Sequence, residues 1–85
     1  MIRVKCVGHI GTSLGTKEVE INDETIDVEE IVDRMRALST EPDPGFTRYN
    51  TLVMVDDGDA FVPAGENRVV RSGQSVVLIP FSHGG

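Results

Sequence analysis

The chain has 85 residues, 39% hydrophobic and 26% charged, with a formal net charge of −6. The acid surplus argues against non-specific nucleic-acid binding, which needs excess Lys and Arg to displace counterions. It argues equally against docking on an anionic membrane surface. The single cysteine, Cys6, excludes an internal disulfide, so the fold must rest on its core. No apolar stretch reaches the length of a membrane span, and the start, "MIRVKC", lacks the apolar core of a signal peptide. A cytoplasmic, reducing setting is the expectation.

In chain order, "IRVKCV" alternates, with Ile2, Val4 and Cys6 on one side and Arg3, Lys5 and Val7 on the other. That period of two predicts a half-buried strand. "GHIGTSLG" reads as a Gly-rich loop. "TKEVEI" alternates again, so the two runs predict an antiparallel hairpin.

The next segment, about 27–38, is the main helix. Val28, Ile31, Val32, Met35 and Leu38 fall on one helical stripe. Asp27 stands as N-cap, with Glu30 at the position of a capping-box acid. Acids crowd the first turn, while Arg34 and Arg36 come later, as the helix dipole favours.

"STEPDPGFTRYN" is a loop, because its prolines cannot continue a helix. "TLVMV" predicts a central strand, "DDGD" a turn, and "AFV" a short strand. "GENRVVRSGQ" reads mostly as loop, with a tight turn at Ser72-Gly73. "SVVLI" is the last strand, closed by Pro80. One helix on one mixed sheet is a two-layer design. If the first and last strands lie side by side, they run parallel through a crossover.

Charge follows this layout. Met1–Glu20 holds three bases and two acids, Ile21–Phe46 two bases and eight acids, and the remainder three bases and four acids. A solvated helix face explains the acidic middle. Cys6 and His9 have ligand-like spacing, but Cys6 points to the core and two further zinc ligands are missing. Asp56, Asp57 and Asp59 fit a polar turn better than a cation site.

Three stretches carry a resemblance: "LGTKEVEI" (14–21), "RSGQSV" (71–76) and "VLIPFSHGG" (77–85). With the element order, they resemble the β-grasp ubiquitin-like sulfur carriers (the MoaD/ThiS family) and the ubiquitin-related modifiers. The likeness spans nearly the whole chain. It departs at the Pro-rich loop, where larger members carry a second helix, and at the acidic "DDGD" turn. The implied fold is α+β: a mixed sheet of four or five strands with one main helix on one face. Residues 1–80 would form a single domain and 81–85 a flexible tail.

The resemblance implies a function without catalytic residues or a resident metal or cofactor in this chain. An ATP- and Mg-dependent adenylyltransferase partner would activate Gly85, with Gly84 beside it. The adenylate would become a thiocarboxylate that gives its sulfur to molybdopterin, thiamine or tRNA thiolation. The acceptor would be a molybdopterin synthase large subunit, a thiazole synthase or a tRNA thiolase. The alternative is a protein modifier joined through Gly85 to substrate lysines; a further alternative is a passive adaptor. The free chain is expected to be a monomer. Counting back from Pro80 puts Val76 and Leu78 toward the helix, and Val77 and Ile79 on the open face of the sheet. Met54, Val77, Ile79, Pro80, Phe81 and His83 are therefore the candidate partner-binding residues.

Overall fold

The computed structural model describes residues 1–81. The elements are β1 (Ile2–Cys6), α1 (His9–Leu14), β2 (Glu18–Ile21), β3 (Thr25–Asp27), α2 (Val28–Leu38), β4 (Thr51–Asp56), β5 (Phe61–Pro63), β6 (Val69–Arg71) and β7 (Ser75–Pro80). A five-stranded sheet has the order β2-β1-β7-β4-β5, and β3 and β6 pair as a separate ribbon. β1 and β7 are parallel neighbours, while β1–β2, β4–β7 and β4–β5 are antiparallel. This is a ubiquitin-like β-grasp: a mixed sheet holding one main helix against one face.

The period-2 pattern sets which face is buried. Ile2, Val4 and Cys6 point inward from β1, Val53 and Val55 from β4, and Val76 and Leu78 from β7. Their partners across the gap are Val28, Ile31, Val32 and Met35 of α2. Removing one such side chain from water contributes about 1.5–3 kcal/mol. Asp27 caps α2 as expected, its Oδ1 accepting from the Glu30 N–H at 2.8 Å. Glu30 does not complete the capping box: its carboxylate lies 3.7 Å from Arg34, one turn on. Leu38, placed in the buried stripe by its spacing, is 53% exposed. It is the last residue of the helix, and burial in the stripe stops at Met35.

Two segments read as loop contain regular structure. "GHIGTSLG" encloses α1, which buries Ile10 and Leu14, one turn apart on the same face. Gly11 serves close packing. A Cβ on Gly11 would lie 2.9 Å from the Cys6 carbonyl oxygen. Gly15 closes the helix in the left-handed region, donating to the carbonyls of Gly11 and Thr12. β1 and β2 are thus antiparallel neighbours, but joined through a helical turn.

The second segment is "GENRVVRSGQ", where Val69–Arg71 pairs with Thr25–Asp27. That ribbon buries Ile26 and Val70 and extends the core past the start of α2. The loop after α2 also contributes to the core, because Phe46 is 1% exposed. Arg48 ties the same loop to the helix start through an ion pair with Glu29 and, at 3.7 Å, to Glu66 between β5 and β6. Among the described residues no helix is long and apolar enough to cross a membrane.

Candidate functional site: the open sheet face and the root of the tail

The face of the sheet away from α2 is built by the alternate residues that the core does not use. In β7 these are Ser75, Val77 and Ile79; in β4, Leu52, Met54 and Asp56. Register then aligns them in rows across the strands. Met54 stands opposite Val77, which stands opposite Lys5, with Pro63 on the other side of Met54. One step toward the tail, Leu52 stands opposite Ile79. Val7 extends β1 beside them, its N–H donating to the Leu78 carbonyl at 3.0 Å. One step the other way, Arg3 stands opposite Ser75, and Asp56 opposite Phe61. Apolarity therefore rises along the sheet toward the end where β7 closes at Pro80.

Five of the six predicted partner-binding residues can be placed. Met54, Val77 and Ile79 are half-buried on the open face and Phe81 is 42% exposed, whereas Pro80, also half-buried, shares the alternation phase of the inward-facing Val76 and Leu78. The sixth, His83, lies outside the described residues, as do Gly84 and Gly85. Reading the sequence missed two members of the apolar row, Leu52 at 37% and Val7 at 38% exposure. The signal for both was present, since each shares the alternation phase of a residue already assigned to that face. Exposed apolar residues that cluster in this way make the face a candidate interaction surface. The far half of the face is charged: Arg3 pairs with Glu18 at 3.1 Å, and Lys5 stands opposite Glu18.

The end of β7 is held along its β4 side. Pro80 is the last residue of β7 and pairs with Thr51. Beyond it, the Phe81 N–H still donates to the Asn50 carbonyl at 3.0 Å. Asn50 is itself pinned: its Oδ1 accepts from the Thr47 N–H at 2.7 Å, and its Nδ2 donates to the Gly45 carbonyl at 3.4 Å.

Other candidate chemistry resolves into structure. Burial pushes the Cys6 thiol above its ordinary value, which is the reverse of a reactive thiolate. The Asp56 and Asp57 carboxylates accept N–H bonds from Gly58, Asp59 and Ala60, and so build the turn. The N–H groups of Ala60 and Asp59 hold the Asp57 carboxyl below the usual range. A shallow cleft of about 490 Å³ along α2 is lined by Asp27, Glu29, Glu30, Asp33 and Arg34. It belongs to the solvated helix face, on the other side of the sheet from the apolar rows.

No protein-family model and no curated protein matches the sequence. Among solved structures, the chain resembles the crystal structure of SAMP1 from Haloferax volcanii, with a TM-score of 0.69 and 16% identity. The match covers 99% of this chain and 98% of that one. It extends the ubiquitin-like β-grasp assignment over the whole length, with no large insertion on either side.

Proposed function

We propose that this chain is a ubiquitin-like carrier activated at Gly85, and that its primary cargo is sulfur. The observation that supports the reading most is the position of "HGG". It begins two residues after Phe81, where β7 leaves the apolar end of the open face. For this reading Gly85 carries the free carboxylate, whether encoded there or exposed by cleavage.

The chemistry follows from the group. A carboxylate is a poor acyl donor. Attack of a Gly85 carboxylate oxygen on the α-phosphate of ATP releases pyrophosphate and forms an acyl-adenylate. A sulfide donor then attacks the acyl carbon, AMP leaves, and a thiocarboxylate remains. The partner supplies Mg²⁺ and charge stabilisation. Glycine leaves the reacting carbon unhindered and adapts to a narrow channel. Ordering it costs about 1–2 kcal/mol per residue, which docking of Leu52, Met54, Val77, Ile79 and Phe81 offsets. An adenylyltransferase of this kind and a sulfur-accepting enzyme are the partners, in the cytoplasm.

The test is incubation with ATP, Mg²⁺ and an extract of the source cell, then mass spectrometry of the C-terminal peptide. The expected product exchanges one oxygen for sulfur at Gly85. A ladder of Gly85 conjugates on lysines would instead identify a protein modifier. If Gly85 acquires no AMP, sulfur or conjugate, while a chain lacking Gly84 and Gly85 keeps every partner, the chain is a passive adaptor.

A further inference from the structure

We propose that the open sheet face also binds a second copy of this chain, about a two-fold axis that runs along β7 between two facing sheets. The proposal does not depend on chemistry at Gly85.

β1 runs parallel to β7 and β4 runs antiparallel, so open-face residues at one height flank β7 in pairs. Lys5 and Met54 flank Val77. Toward Pro80, Leu52 and Val7, the residue after the Cys6–Leu78 pair, flank Ile79. The other way, Arg3 and Asp56, one step past the Val55–Val76 pair, flank Ser75.

A two-fold axis along β7 exchanges the β1 and β4 sides and keeps the height. It sets Val7 of one copy over Leu52 of the other, Lys5 over Met54, and Arg3 over Asp56. Val77 and Ile79 meet their own equivalents. Apolar then meets apolar and cation meets carboxylate, each contact occurring twice, as an isologous interface requires. Lys5 lays its apolar stem on Met54 and points its ammonium to water or to Asp56, one step away. An axis across the strands would reverse the height and press the apolar end onto Arg3 and Asp56. Sheets that face in this way pack nearly aligned, about 30° apart.

The charged groups are free to make the contact. The Arg3–Glu18 pair, at 3.1 Å, is 63% and 48% exposed, and such a solvated pair holds its arginine weakly. Asp56 gives Oδ1 to the Gly58 N–H at 2.9 Å, which leaves Oδ2 for a cation. The net charge of −6 opposes association. Yet Glu29, Glu30 and Asp33 stand on α2, on the other side of the sheet. The dilute chain is therefore a monomer and the concentrated chain pairs. Pairing covers the rows that an activating partner would use, so the two compete; this consequence alone rests on the reading of Gly85.

The test uses the full chain by itself, in sedimentation equilibrium over a dilution series up to about 1 mM, with amide shifts followed over the same range. The average mass should climb toward two chains. Shifts should fall on Val7, Leu52 and Ile79, while those of α2 stay. Val77→Glu should hold the chain monomeric. Arg3→Asp and Asp56→Lys should each weaken self-association by about tenfold or more, because like charges then oppose one another across the axis. Asp56→Lys keeps the Asp57 bonds of the turn to Asp59 and Ala60. An equimolar mixture of the two variants should pair again, since each copy supplies the charge that the other now needs. A mass that stays at one chain, shifts centred on α2, or undiminished association of Val77→Glu overturns the proposal. So does a mixture that stays monomeric where the parent pairs.

Discussion

Met54 and Val77 face one another across the β4–β7 ladder, both half-buried, on the side of the sheet that α2 does not cover. Their inward neighbours Val53, Val55, Val76 and Leu78 already complete the core. Burying the outward pair therefore adds little to folding and remains available to a partner. Substituting Val77→Glu or Leu52→Glu should leave the thermal midpoint within a few degrees of the parent. The same changes should reduce Gly85 modification by tenfold or more, about 1.4 kcal/mol in partner binding. A rate that survives both charges would show that the partner docks elsewhere.

The loop between α2 and β4 is anchored by Phe46, which is 1% exposed among the core residues. Phe46→Ala should cost about 3–5 kcal/mol, the sum of lost transfer energy and the cavity left behind. Urea unfolding followed by circular dichroism measures it. A cost below about 1 kcal/mol, the scale of a surface change, would show that this loop is not part of the core.

How much of this was legible in the sequence depended on length and period. Strands of five or six residues, such as β1, β4 and β7, show their alternation, so the assignment of Val77 and Ile79 to the open face followed from counting. The α2 stripe was legible through Met35 and failed at Leu38, because spacing alone does not show where along a helix the burial stops. β3 and β6 have three residues each, too few to show a period, and they are strands only because they pair with each other. α1 was hidden by its glycines, whose usual reading is loop; its evidence is the close approach of Gly11 to Cys6, which only the fold displays. Phe46 sits in a Pro-rich segment with no period at all. At the site, the apolar rows were partly legible, but the grip on Phe81 was not. A main-chain bond to Asn50 leaves no trace in residue types.

Asp27 ends β3 and caps α2, so one residue serves the ribbon and the helix together. Its carboxylate satisfies the Glu30 N–H, one of the four donors that a helix start leaves open. Asp27→Ala should therefore destabilise by about 1 kcal/mol, with Asp27→Ser recovering most of it. Equal losses for the two variants in urea unfolding would mean that the cap bond is not the source.

Arg34 grips Asp23 with two parallel bonds, Nη1 to Oδ1 at 2.7 Å and Nη2 to Oδ2 at 2.8 Å, tying α2 to the β2–β3 connection. The guanidinium holds the Asp23 carboxyl below its ordinary value. A carboxyl depressed in the folded state adds stability that is fully present above its unfolded pKa, about 3.9. That stability fades as pH falls through the lower, folded value. The difference in urea midpoint between the parent and Asp23→Asn should hold steady from neutral pH to about pH 5. It should narrow below about pH 4, as the parent's own carboxyl takes up its proton. Because both side chains are partly solvated, added salt should narrow it at neutral pH as well. A difference that persists unchanged to about pH 2, below the usual carboxylate range, would assign the effect to packing rather than to the ion pair.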